Sequence, residues 1–179
     1  MRPAVDFGGL DRSLFSRFIL GIDPGMAESG WAAVGWTLHG APVVIRHGVC
    51  RTRPGRLAWD RVGDMVAQLV AVERALGETH VGMEEWIHRR VGAATTAHSM
   101  GLVIGGLLVG LASRPVSVGD PATWHKRVGL PPSADKAAVM RWVRAALPLE
   151  TPPATDHEFD AIAIALAAFD LIPTVGGPR

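Results

Sequence analysis

The chain is poor in cysteine, in net charge and in long apolar runs. A single cysteine, Cys50, among 179 residues excludes an intrachain disulfide framework and any zinc site made of several thiolates. One thiol also fits a reducing compartment such as the cytoplasm. The most apolar stretch, Gly101–Ala112, is too short and too rich in glycine to cross a bilayer. The opening residues include Asp6 and Asp11 and show no signal-peptide pattern. The formal net charge is only +1, so composition alone does not point to a nucleic-acid partner. Internal repeats are absent, and no linker-like segment divides the chain, whose length suits one domain.

Apolar residues make up 48% of the chain, enough for a real core, and 21 glycines with 13 prolines imply many turns. A mixed α/β protein is expected rather than a helix bundle. Basic charge is concentrated locally. Between 114 and 144, Arg114, Lys126, Lys136, Arg127, Arg141 and Arg144 face only Asp120 and Asp135, and His88, Arg89 and Arg90 form a second basic run.

Hydrophobic periodicity orders the elements. Phe18–Ile22 is a continuous apolar run stopped by Asp23-Pro24-Gly25, the pattern of a strand buried on both faces. Gly30–Leu38 and Val43–Cys50 follow after short turns, which predicts an antiparallel meander. Leu57, Val62, Met65, Val66, Leu69, Val70 and Leu76 recur at helical spacing up to Gly77. His80–Trp86 is a fourth strand and Thr95–Ala112 a second helix, where Gly101, Gly105, Gly106 and Gly110 permit close packing. Val116–Val118 is a fifth strand. Asp120-Pro121 opens a helix as cap and first residue. Ser133 is expected to cap another that runs to Leu147, and Thr155 with Glu158 has capping-box spacing for a last helix to about Leu171. Three antiparallel strands followed by alternating helix and strand predict a five-stranded mixed sheet covered by helices. Residues 1–17 read as an irregular or partly ordered extension, 18–172 as the folded domain and 173–179 as a tail.

Three places in this order carry candidate chemistry. Asp23 ends a buried strand, where an unpaired carboxylate is unfavourable, although an Asp before Pro-Gly also makes turns. Glu84 and Glu85 fall on opposite faces of the fourth strand. His157 and Asp160, three residues apart, share one face at the start of a helix that is apolar all round; Asp156 and Glu158 suit the helix dipole better. Three carboxylates and one imidazole can hold Mg²⁺, with Mn²⁺ as a substitute, and two such ions would serve phosphodiester cleavage.

With these residues in hand, Ile19-Leu-Gly-Ile-Asp23-Pro-Gly25, Met83-Glu84-Glu85 and His157-Glu-Phe-Asp160-Ala161, in this order, resemble the three acidic segments of RuvC-type Holliday junction resolvases. The resemblance runs through residues 19–171. It implies a ribonuclease H-like fold, a homodimer, and paired metal-dependent nicks across four-way DNA. By position it implies that Asp23, Glu84, His157 and Asp160 are catalytic metal ligands and that Lys126 and Lys136 meet DNA phosphates. It also implies that Trp86 or Ile87 wedges into the junction, with Arg89 and Arg90 gripping backbone beside it. A branch-migration helicase is a partner on which the sequence is silent. The chain departs from the pattern in its first 17 residues, in Glu28 after the first acid, and in lacking the polar residue expected near Met100. Other readings of the same residues are a ribonuclease H-like nuclease for flaps, forks or RNA–DNA hybrids and a non-catalytic junction-binding protein. A sugar-kinase or actin-type nucleotide binder, whose phosphate loop also opens Gly-x-Asp-x-Gly, normally needs a much longer chain.

Overall fold

A computed structural model describes residues 6–85 and 94–171; Trp86, Ile87, His88, Arg89 and Arg90 lie outside them. Among the described residues there are five strands, β1 (Phe15–Asp23), β2 (Glu28–Thr37), β3 (Pro42–Arg51), β4 (His80–Glu84) and β5 (Val116–Gly119). Five α-helices accompany them, α1 (Ala58–Leu76), α2 (Ala94–Gly110), α3 (Pro121–Arg127), α4 (Lys136–Ala146) and α5 (Asp156–Ala168). The sheet order is β3-β2-β1-β4-β5. β1, β2 and β3 form the expected antiparallel meander, and β4 and β5 add in parallel to β1. No described helix is long and apolar enough to cross a membrane.

Strand alternation sorts the side chains between two helical layers. Leu20, Ile22, Trp31, Ala33, Val81 and Met83 face α1 and α2 in one cluster. Ile19, Val34 and Trp36 pack with Trp124, Ile164 and Ala168 on the opposite face, and Ala32 meets α4 and α5 through Val139, Val143 and Phe159. Because helices cover both faces, β1 is buried without interruption from Phe18 to Asp23, which explains its unbroken apolar sequence.

α5 lies unusually close to the sheet, and glycines make the room. A Cβ placed on Gly21 would fall 2.0 Å from the Ala161 carbonyl oxygen, one on Gly30 would fall 2.0 Å from that of His157, and one on Gly82 would fall 2.6 Å from the Ala168 methyl. These three neighbouring strands thus carry hydrogen where α5 sits. Elsewhere the expectation of close packing holds only in part. Gly106 and Gly110 of α2 do press against Val62, Val66 and Val70 of α1, but Gly101 and Gly105 face open space.

Several boundaries move. β1 begins at Phe15, not Phe18, because Phe15 pairs with Thr37 and Arg17 with Trp36 of β2. The expected fourth strand stops at Glu84. α4 is capped by Asp135, whose carboxylate accepts from the Ala138 amide at 2.7 Å, while Ser133 stays in the preceding turn. The Asp120 cap with Pro121 and the Thr155–Glu158 capping box form as read. The extension is irregular only in part. A 3₁₀ turn spans Arg12–Leu14, Phe7 meets Trp31 edge-on, and Phe7 and Leu10 pack against the sheet. Arg12 stacks over Phe18 and donates to the Leu76 and Glu78 carbonyls around the end of α1.

Candidate active site

The carboxyl ends of the three parallel strands β1, β4 and β5 share one edge of the sheet. Open α/β sheets bind ligands outside such an edge. Asp23 is the last residue of β1 and Glu84 the last of β4. Ile22 pairs with Met83 in the parallel register, so the two acids follow one another across adjacent strands. Gly21 and Gly82 face α5, and alternation therefore turns Asp23 and Glu84 to the same side. The N-terminal end of α5 brings His157 and Asp160 over this edge, lowered onto β2 by the missing side chain of Gly30.

The four sequence candidates converge. His157 Nδ1 donates to Asp23 Oδ2 at 2.6 Å, and Asp23 is buried. That hydrogen bond, against burial and together with the nearby charges of Asp23 and Asp156, raises the His157 pKa above the usual imidazole value. Burial, then the charges of Asp23 and Asp160, push the Glu84 carboxyl up to about 8. Burial, then Asp23, push Asp160 up to about 7. The edge therefore holds more negative charge than its surroundings offset.

Lys136, at the start of α4, is the main cation facing this charge. Its attraction for Glu84 and Asp160 opposes both upward shifts, while its ammonium donates to Asp156. Burial works against the charged lysine, but Asp156, Asp160 and Asp23 outweigh it and raise its pKa. Lys126 is exposed in the last turn of α3 and is not among the charges that act most on the acids. The basic residues expected to act alike are thus separated by the fold.

Four contributors were not legible as such. Asp120 follows β5 at the same edge and its charge adds to the upward push on Glu84; in sequence it showed only as a helix cap. Ser29, fully buried, donates to the Gly25 carbonyl and accepts from the Gly25 amide, both at 2.9 Å, which fixes the turn that leaves Asp23. Asp156 and Glu158 do more than favour a helix dipole. Asp156 pairs with Lys136 and Glu158 with His47. The unexpected acid Glu28 is held 2.7 Å from Arg51.

The donor set fits a hard divalent cation. Oxygen ligands dominate, one imidazole is available, and two acids with raised pKa values are what a cation would relieve. Among the described residues no three His, Cys, Asp or Glu side chains are already gathered as a metal-holding group.

Comparison with known proteins bears on this geometry. A family model described as crossover junction endodeoxyribonuclease RuvC matches residues 19–168. The protein of that name from Synechococcus sp. (strain WH7803) is 30% identical over 156 residues, covering 84% of this chain and 97% of the relative. That from Heliobacterium modesticaldum is 31% identical over 151 residues, covering 83% and 91%. The structure of Thermus thermophilus RuvC superposes with a TM-score of 0.72 at 29% identity, covering 84% of this chain and 92% of that one. The same protein in complex with a Holliday junction substrate gives 0.70 at 28% identity, covering 84% and 91%. The yeast mitochondrial Holliday junction resolvase, 14% identical with a TM-score of 0.56, shares the fold. The sheet is thus the expected ribonuclease H-like one, and the nucleases of this family depend on a metal. The meander, the acidic edge and the long match together place the chain in the RuvC family of crossover junction endodeoxyribonucleases.

Proposed function

We propose that Asp23, Glu84, His157 and Asp160 are the catalytic, metal-holding residues, and that a homodimer of this chain resolves Holliday junctions by paired nicks. One observation carries the site: three carboxylates and an imidazole from two strands and one helix meet at the carboxyl edge of the parallel strands, with Glu84 and Asp160 pushed up to about 8 and about 7.

Mg²⁺ is the preferred ion, with Mn²⁺ as a substitute, and two bound ions would supply the charge that activates water and stabilises the leaving 3′ oxygen. Asp23 stands between Glu84 and the His157/Asp160 pair and is placed to serve both sides of the site. Glu84 and Asp160 act as ionised ligands once their protons leave. Lys136 offsets the carboxylate charge at the rim and is placed to meet a scissile-strand phosphate, as Lys126 meets one farther out. In this reading, Arg89 and Arg90 add backbone contacts and Trp86 or Ile87 unstacks junction bases. Recognition is of junction shape, with affinity dominated by phosphate contacts and falling steeply with salt.

Paired cuts need two sites, and the α1–α2 layer offers a surface for the second copy. Trp59, Val62, Val66, Val70, Gly106 and Gly110 line an apolar groove there, and Trp59 and Val109 are 66% and 80% exposed. Such a patch on a DNA-processing protein suits self-association. The single thiol, Cys50, which is buried, suits a reducing compartment such as the cytoplasm.

The test is cleavage of a synthetic mobile four-way junction beside matched duplex, flap and RNA–DNA hybrid, with Mg²⁺, Mn²⁺ or EDTA. Paired symmetric nicks in the junction alone, lost with EDTA, are expected. Preferred cutting of flap or hybrid would move the substrate to another class. Tight junction binding without cutting would overturn the catalytic reading.

A further inference from the structure

α5 is held at a third point besides its contact with Gly30 and the His157–Asp23 hydrogen bond. Glu158, the residue between His157 and Phe159, is a buried acid on the first turn of the helix. Both its carboxylate oxygens are used. Oε1 lies 2.8 Å from His47 Nδ1 on β3. Oε2 accepts from the Ala154 and Thr155 amides at 2.9 Å each and from the Thr155 hydroxyl at 3.1 Å. The other imidazole nitrogen, His47 Nε2, is 2.9 Å from the Thr151 carbonyl. A carbonyl and a carboxylate both accept, so each imidazole nitrogen faces an acceptor, and the ring is oriented between Glu158 and the loop that leads into α5.

A helix dipole or a capping box needs only a solvated acid. Burying this one beside a histidine two strands away from Asp23 orders much more: the 151–155 loop, the first turn of α5 and the edge strand β3 become one unit. The His157 carbonyl, whose position Gly30 allows, and the His157 ring, which meets Asp23, belong to the same turn as Glu158. A small tilt of that turn would move His157 and Asp160 together relative to Asp23 and Glu84.

We infer that the buried His47–Glu158 pair is a positioning device for the active site, setting the distance between the α5 ligands and the strand acids. The inference rests on the proposed role of His157 and Asp160. Groups that orient metal ligands from behind typically change metal affinity about tenfold or more when removed. His47→Ala is therefore expected to raise the Mg²⁺ or Mn²⁺ concentration for half-maximal cleavage about tenfold. The concentration for half-maximal thermal stabilisation by the same metal, read without DNA, should rise in parallel. At saturating metal kcat should fall while KM for the junction and metal-free junction binding hold. Should His47→Ala fail to fold, Glu158→Gln keeps the size of the side chain and removes the charge of the pair, with the same expectation. A variant that unfolds at lower temperature yet keeps both metal midpoints, assayed well below that temperature, overturns the inference. Asp160→Asn separates the two levels. If it keeps cleavage and metal response, the ligand reading falls and the positioning role with it. If it loses both while His47→Ala keeps both, the positioning role alone falls.

Discussion

Asp160 and Glu84 are held in surroundings that oppose their own charge. A carboxyl whose folded pKa is raised contributes stability below its unfolded pKa, and that contribution is lost as pH rises through the folded value. For Asp160 the loss extends up to about pH 7 and for Glu84 up to about pH 8. In EDTA the protein should therefore unfold at lower temperature at pH 8.5 than these two groups would allow near pH 5. Asp160→Asn should reduce that difference and raise the metal-free midpoint at pH 8, by about 2–4 °C for each 1 kcal/mol of repulsion relieved, while cleavage is lost. Scanning calorimetry at both pH values checks this; an unchanged or lowered midpoint would count against the repulsion. Asp23→Asn should bring nicking to background and leave junction binding intact, read by strand cleavage and mobility shift on the same junction. Asp23, His157 and Asp160 were legible as candidates because a charged residue ends or opens an otherwise apolar element. Lys136 was legible as a residue that the resemblance sets against DNA phosphate, but not as a neighbour of the acids, because that nearness depends on how α4 packs beside α5.

At the scale of elements, α5 decides the site. Its apolar circumference was plain in the sequence, as was its capping box, and both are local properties. Its depth was not. Gly21, Gly30 and Gly82 lie on three different strands and serve one helix, a relation that exists only once β1, β2 and β4 are side by side. Gly30→Ala should force the His157 carbonyl away from β2, since the added carbon would sit 2.0 Å from it. The expected result is a loss of about 1–3 kcal/mol of stability and a larger loss of cleavage than of junction binding. Urea unfolding with parallel nicking assays measures both; wild-type cleavage would mean that the turn can shift without cost to the site. The cap of α4 shows the opposite limit of local reading. Ser133 and Asp135 are equally good caps by residue type, and the turn at Pro131–Ala134 selected the second.

At the scale of the whole molecule, one helical layer carries the site and the other is the proposed dimer face. α5 and α4 cover the sheet on the side to which Asp23 and Glu84 turn, whereas α1 and α2 cover the reverse and expose apolar side chains outward. Val109→Glu changes a side chain that is 80% exposed, so the fold should survive. Sedimentation is expected to show a monomer, and cleavage of a junction in supercoiled DNA to give unpaired nicks. A dimer with paired nicks would move the interface elsewhere. The N-terminal segment belongs to the reverse side too. Its Phe7 and Leu10 extend the apolar packing beside Trp31, and Arg12 takes up carbonyls at the end of α1.

The sequence by itself determined the element order and the mixed sheet, which show in the spacing of apolar residues, and it marked candidate charges at the ends of those elements; the choice of Asp23, Glu84, His157 and Asp160 as one set came from the resemblance. It also excluded disulfides and multi-thiolate metal sites. Only the tertiary structure decided what those charges do to one another. The shared strand edge, the pull of Lys136, the contribution of Asp120 and the burial of His47 with Glu158 are contacts between segments far apart in the chain. Electrostatic energy depends on distance and burial in space, and neither is written in the order of residues.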